Sequence, residues 1–296
     1  MSLLNRVVRR LDRKGRLDCL SDEAYLKLLY RTIRGKPLNL KKPKTFNEKL
    51  QWLKIHDRKS EYTTMVDKYE AKKYVAERIG EEYIIPTLGV WDSFNEVDFD
   101  SLPNQFVLKC THNSGGLAIC RDKENWDPTS VREMFERCLK KNYYLRGREW
   151  PYKNVKPRII AETYMEDPDQ SAGLRDYKFY CFNGEPKFLY VSEGLENHAT
   201  AKISFLNTDW TFAPFGRSDY RPFTELPPKP SNYEKMISLA RQLSQGIPFL
   251  RVDLYEINGK VYFSELTFSP CSGMMPFDPP EWDAICGEMI TLPERE

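Results

Sequence analysis

The 296 residues are 41% hydrophobic and 13% aromatic, enough for a large core in at most two domains, and no apolar run approaches the roughly 20 residues of a membrane span. Seven scattered cysteines, odd in number and without a C-x-x-C pair, and three histidines off metal-ligand spacing exclude a disulfide framework and a zinc centre and point to a reducing cytoplasm. The net charge of +2 hides an asymmetry: residues 1–60 hold 17 Lys and Arg against 6 Asp and Glu (+11), and the remainder holds 28 against 37 (−9).

A basic segment on an acidic body suits a polyanionic partner or a membrane surface; no nucleic-acid-binding motif accompanies it, so nucleic acid is not expected. Residues 2–14 read as a basic amphipathic helix. Leu3, Leu4, Val7, Val8 and Leu11 form one stripe, and Arg6, Arg9, Arg10, Arg13 and Lys14 cover the rest. Its scattered charges leave no stretch of the secretory kind. Such a helix either lies on an anionic membrane face or docks on its own domain. A second helix follows Ser21 and stops at Gly35-Lys36-Pro37, and a third begins at Thr45 with Glu48 as its capping-box partner. Residues 1–60 are therefore expected to be a helical basic cap.

A helix after Asp67 runs to about Gly80, and strands then take over. Gln105–Cys110, a Thr-His-Asn-Ser-Gly-Gly loop and Leu117–Cys120 read as strand, glycine loop and strand. A helix is expected from about Pro128 to Tyr143, then a strand at Arg158–Glu162. Asp176–Phe182 and Lys187–Val191 flank an Asn183-Gly184 turn, the strongest local hairpin signal. Residues 201–215 suggest one more pair of strands, and Ser231 is placed as the cap of a late helix. Phe249–Ile257 and Lys260–Leu266 form the last hairpin around Asn258-Gly259. Helices first and then hairpins give an α+β plan, divided as 1–60, 61–165 and 166–296.

That last hairpin carries the most chemistry. Arg251, Asp253 and Glu265, followed by Thr267 and Ser269-Pro270, suit a hard cation such as Mg²⁺ bridging phosphate oxygens. Register decides whether the carboxylates cooperate. A two-residue turn pairs Val252 with Glu265 and sends Asp253 and Glu265 to opposite faces. A three-residue loop with Gly259 in a left-handed bulge pairs Arg251 with Glu265 instead, and a bulge elsewhere in the hairpin would also restore a common face. Lys109, ending a strand before the glycine loop, can add charge to backbone N–H groups that wrap phosphate.

Together these segments resemble the TupA-like ATP-grasp family, linked to teichuronopeptide and other cell-surface polysaccharide synthesis. TFNEKLQWLK, DKYEAKKYVAERIGEEYIIP, FVLKCTHNSGG, DYKFYCFNGEPKF and FSELTFSP carry the likeness across roughly residues 20–275. The resemblance implies an ATP-grasp fold, two α+β lobes clasping ATP. It also implies that Lys68 and Lys109 contact phosphates and that the Ser114-Gly115-Gly116 loop closes over them. Glu162 with the backbone through Tyr164 and Met165 would form the adenine hinge, and Asp169 or Glu166 would take the ribose. Lys178 would neutralise phosphate and Arg251 the transferring phosphoryl group, while Asp253 and Glu265 hold Mg²⁺. Thr267 stands where the family pattern E-x-N has a metal-binding Asn.

The expected reaction is carboxylate–amine ligation through an acyl-phosphate, by positioning and electrostatics and without a Ser or Cys nucleophile. The resemblance places the acid on a uronic acid or amino-acid component of a surface polysaccharide, met in the cytoplasm or at the inner membrane face through residues 1–14. A glycosyltransferase of the same pathway, with Asp167-Pro168-Asp169 as a D-x-D motif, and a non-catalytic ATP-binding assembly protein are the competing readings. Trp126, Tyr143, Tyr144 and Trp150 either line a sugar site or belong to the core.

Overall fold

The computed structural model describes residues 3–168, 173–195 and 200–294, with Leu3 and Leu4 described by backbone alone. Local capping signals set the N-terminal helices. Helix α1 spans Leu3–Arg13, and α2 spans Asp22–Arg34, with Ser21 Oγ accepting from Ala24 N–H and Gly35 closing it at φ 70°. In α3 (Phe46–His56) both arms of the capping box form: Glu48 N–H donates to Thr45 Oγ1 at 3.3 Å, and Thr45 N–H to Glu48 Oε2 at 3.2 Å. A short helix that the periodicity does not reveal, α4 (Glu61–Val66), precedes α5 (Glu70–Ile79). Asp67 Oδ1 accepts from Tyr69 N–H at 2.9 Å ahead of α5, while Glu70 turns to Arg158 at 2.9 Å instead of back to the helix start.

Strands β1 (Thr87–Trp91), β2 (Phe106–Cys110), β3 (Leu117–Cys120) and β4 (Ile159–Thr163) make an antiparallel sheet in the order β1-β4-β2-β3. Helix α6 (Thr129–Leu139) covers it by burying Phe135 against Phe94 and the Phe106–Leu108 face. It ends four residues before the expected Tyr143, because Asn142 accepts from Tyr144 N–H and starts a separate 3₁₀ turn at Tyr143–Leu145.

The larger sheet has the order β10-β9-β5-β6-β7. Its strands are β5 (Asp176–Phe182), β6 (Glu185–Glu193), β7 (Lys202–Asn207), β9 (Phe249–Ile257) and β10 (Lys260–Thr267). Asn183-Gly184 (φ 49° and 85°) and Asn258-Gly259 (φ 50° and 71°) are both positive-φ hairpin turns of the kind Asn-Gly favours. Strand alternation sends Phe179, Val252 and Leu254 to a core under α7 (Tyr233–Ser244) and α5, and Tyr180, Phe182 and Phe249 to the opposite face beneath α3.

Two local expectations fail. After β7 the chain makes only a bridge, Leu206 to Phe212, before the two-residue strand β8 (Gly216–Arg217) pairs with β11 (Phe277–Asp278), so no full strand pair fills 201–215. Ser231 does not cap α7. The helix starts one residue later, with Asn232 at its N-cap position, and the Ser231 N–H and hydroxyl both donate to Glu256 Oε1 on the neighbouring strand.

Helix α8 (Trp282–Glu288) closes the far end against α3, where a Cβ on Gly287 would lie 2.1 Å from Lys44 O and 2.8 Å from Phe46 N. Backbone cannot yield as a side-chain tip can, so Gly287→Ala is expected to cost about 2–4 kcal/mol in urea unfolding. An unchanged midpoint would mean that α8 sits farther from α3.

Candidate functional site

The Asn258-Gly259 turn is the two-residue form and pairs Ile257 with Lys260. The three-residue loop does not form. A bulge farther up β10, between Phe263 and Glu265, absorbs Ser264 and restores the face. Glu265 therefore pairs with Asp253, not with Arg251, and Thr267 takes Arg251. Lys178 lies across from Asp253 on β5. Sheet geometry thus brings Arg251, Asp253, Glu265, Thr267 and Lys178 into one polar band beside the aromatic cluster beneath α3.

Asp253 is the hub of that band and is 0% exposed. Arg251 clamps it bidentately at 2.7 and 2.6 Å, and Lys178 donates to Oδ2 at 2.7 Å and to Asp176 at 2.9 Å. Burial alone would push the Asp253 carboxyl up, but Arg251 and Lys178 outweigh it and hold the group below the usual carboxylate range. Burial works against the Lys178 charge too, yet Asp176 and Asp253 keep that ammonium firmly protonated. Glu265 is held more loosely, 3.6 Å from Arg251 and 3.7 Å from Lys68 with its side chain 29% exposed. Thr267 Oγ1 accepts from Arg251 at 2.9 Å.

Across the cleft, Lys68 donates to Asn113 O at 2.7 Å. Lys109 reaches Glu162 at 2.5 Å, and Lys72 binds the other oxygen of the same carboxylate. Nothing in the sequence marks Lys72 for this role beyond its place four residues after Lys68. Asp176 has a comparable signal, two residues before Lys178 on one strand face. Burial would raise the Glu162 carboxyl, but Lys109 and then Lys72 bring it down to about 2. Lys72 itself stays low for a lysine, because burial of its ammonium outweighs the pull of Glu162.

Glu162 is ionised in the fold well below 4.5, its ordinary value, so it binds fewer protons than the unfolded chain does between pH 4.5 and 2. Its stabilisation is full above pH 4.5 and is lost as pH falls through 2, about 3 kcal/mol in all. Denaturant titrations between pH 6 and 2.5 should show that slope, and Glu162→Gln should flatten it. An equal slope in both proteins would disprove the assignment.

The glycine loop is folded on itself: Asn113 Oδ1 accepts from both Gly115 N–H and Gly116 N–H at 3.0 Å. Those amides face a side chain rather than the cleft, and phosphate would have to take Asn113's place. Gly116 lacks room for a Cβ, which would meet Cys110 Sγ at 2.5 Å, whereas Gly115 has open space. Ser114 Oγ is hydrogen-bonded with Tyr143 Oη at 3.1 Å.

Three cavities adjoin in series through shared lining residues. One of about 690 Å³ is lined by apolar Val107, Leu117 and Ile119 and by the chain from Thr163 through Tyr164, Met165 and Glu166. It shares Lys109 and Glu162 with a narrow neck of about 180 Å³ that also holds Lys68 and Lys72. The neck shares Ser114 and Glu265 with a third cavity of about 970 Å³, into which Arg251, Thr267 and Tyr143 also open. Asp169 lies outside the described residues. Asp167 accepts from Asn258 N–H at 3.1 Å, which ties it to the hairpin turn. Trp126 packs edge-on against Phe106 in the smaller core, Tyr144 is buried and Trp150 packs on the larger core, so of the four aromatics Tyr143 alone lines the large cavity.

Two antiparallel lobes facing each other across a lysine-lined neck, with an R-x-D and E-x-T hairpin beneath, define an α+β ATP-grasp fold. The chain belongs to the TupA-like ATP-grasp family, whose model matches residues 48–291. No curated protein matches the chain by sequence. Similar solved structures include D-alanine–D-alanine ligase from Bacillus anthracis complexed with ATP, at 13% identity and TM-score 0.39, covering 82% of this chain and 62% of that one. A RimK domain ATP-grasp protein from Sphaerobacter thermophilus gives 9% identity and TM-score 0.43, with 79% and 70% covered. D-alanine–D-alanine ligase from Helicobacter pylori gives 14% and 0.41, with 85% and 63% covered. The chain thus spans less than two thirds of the length of either D-alanine–D-alanine ligase. None of the described helices is long and apolar enough to cross a membrane.

Proposed function

We propose that the protein is an ATP-dependent carboxylate–amine ligase acting through an acyl-phosphate, with an acid carried on a surface-polysaccharide component as acceptor. The observation that supports this most directly is the series of three adjoining cavities: an apolar pocket with room for a base, a lysine neck for phosphates and a larger cavity for a second substrate, the first two joined at Lys109 and Glu162 and the last two at Ser114 and Glu265.

In this reading the purine takes the pocket beside Tyr164 and Met165, with its ribose toward Glu166 or Asp169. Lys68 and Lys109 hold the phosphates, and Arg251 faces the γ-phosphoryl group, while Lys178, which lines none of the three cavities, adds its charge from behind Asp253. The acceptor carboxylate oxygen attacks Pγ and the bond from Pγ to the β-bridging oxygen breaks, so ADP leaves and an acyl-phosphate forms. An amine nitrogen then attacks the acyl carbon, phosphate departs and the ammonium proton is lost to solvent. The protein supplies position and positive charge in a cleft where water does not screen them.

The donor set fits Mg²⁺. No three His, Cys, Asp or Glu side chains converge among the described residues, but Mg²⁺ beside nucleotide phosphates needs only one or two carboxylates, the rest of its shell being phosphate and water. Glu265 would hold it, joined by Asp253 on release from Arg251, with Thr267 as a weaker oxygen donor. When bound, the ion neutralises charge on the β- and γ-phosphates.

The glycosyltransferase alternative loses support from Asp167, whose carboxylate holds the hairpin turn. A direct test is ADP and phosphate release from Mg·ATP with mixtures of uronic acids and amino acids. Release that requires both acid and amine is the expected result. Intact ATP with sugar transfer would establish the glycosyltransferase, and a thermal shift without turnover would establish a binding protein.

A further inference from the structure

One wall of the large cavity is not made by the matched region. Arg6, Arg9, Arg10 and Arg13 of α1 line it, in the same cavity as Arg251 and Thr267. The helix is held in place, since Val8 is 5% exposed in the cluster with Tyr25 and Leu29, and Asp12 Oδ1 accepts from Tyr25 Oη at 2.8 Å. Among the described residues none of the four arginines has a carboxylate partner, in contrast to Arg146, which has Asp18 at 2.8 Å. Spaced three and four residues apart, they form a strip of about 10 Å along the helix. Guanidinium groups are suited to bidentate binding of phosphate oxygens. Tyr143 and Tyr152, whose ring centroids are 4.9 Å apart, line the same cavity.

We infer that this strip is an acceptor subsite for phosphate or pyrophosphate: the acid to be activated sits near Arg251 while a phosphoryl group attached elsewhere on the same molecule is held by the α1 arginines. The placement of the acid rests on the ligase reading; the arginine subsite is testable apart from it. Two sources share this chemistry, a phosphorylated soluble substrate and the headgroups of a bilayer. The substrate is favoured because the arginines share one cavity with Arg251 and Thr267 of the β9–β10 hairpin, so that a single molecule can touch both. Val7 and Leu11 stay exposed on the same helix, at 47% and 38%, so the bilayer is the rival to be tested.

The test uses the full chain, saturated with Mg²⁺ and a non-hydrolysable ATP analogue so that the neck is filled, and titrated with inorganic pyrophosphate by calorimetry. Pyrophosphate should bind, and Arg6→Gln/Arg10→Gln and, separately, Arg9→Gln/Arg13→Gln should each weaken it at least roughly 10-fold with analogue affinity and melting temperature unchanged. Equal affinity in all three proteins, or no binding to the wild type, overturns the inference. Sedimentation with phosphatidylglycerol/phosphatidylcholine vesicles is the second arm: if the variants lose vesicle binding while pyrophosphate affinity holds, α1 belongs to the membrane and the subsite is wrong. Failure of the analogue itself to bind counts against the ATP reading alone, and the pyrophosphate titration without analogue still judges the arginines.

Discussion

Glu265→Gln is expected to lower ATP turnover by roughly 10²–10³-fold while leaving the fold intact. Glu265 meets its cationic neighbours only at 3.6 and 3.7 Å, and its side chain is 29% exposed, so removing its charge breaks no tight contact. An effect on unfolding beyond about 0.5 kcal/mol is not expected. In the proposed mechanism its role is toward ligands: it borders both the lysine neck and the large cavity, and it would be the readiest oxygen donor for Mg²⁺. Steady-state ADP release with a parallel thermal melt checks this. Full activity in Glu265→Gln would remove the metal assignment.

Asp253→Asn should behave differently, although it also removes one carboxylate. Asp253 is wholly buried, and its oxygens take two bonds from Arg251 and one from Lys178. An amide cannot accept all three, and two buried cations lose their counter-charge. Breaking such a pair from one side costs about 3–5 kcal/mol, which in a chain of this size lowers Tm by on the order of 10 °C. The variant is thus expected to lose stability as well as turnover, and urea unfolding separates the two. A stability equal to that of the wild type would mean that Arg251 and Lys178 find other partners.

What sequence makes legible here is mostly local. Ser21, the Thr45/Glu48 box and the Asn183-Gly184 turn are short-range devices whose geometry is set within four residues, and each forms as read, whereas Asn258-Gly259 turns where expected but in its two-residue form. The motif order Asp67-Lys68, Lys109 before its glycine loop, and R-x-D with E-x-T carries the family likeness. What stays hidden depends on other strands. Nothing in Phe263-Ser264-Glu265 announces a bulge, yet that single inserted residue decides which face Glu265 occupies. Glu162 reads as a strand-end acid, and its capture by Lys72 and Lys109 needs α5 and β2 to meet over β4. Asn113 looks like a loop residue and instead occupies the amides expected to face phosphate. The arginines of α1 are visible as a charged stripe, but only the fold turns that stripe into a cavity wall.

The most direct measurement follows oxygen. An acid acceptor labelled with ¹⁸O in its carboxylate is incubated with Mg·ATP and an amine, and the released phosphate is analysed by mass spectrometry. An acyl-phosphate route predicts one ¹⁸O transferred into phosphate per amide formed, with ADP in equal amount. Release of AMP and pyrophosphate, or unlabelled phosphate alongside amide, would contradict it.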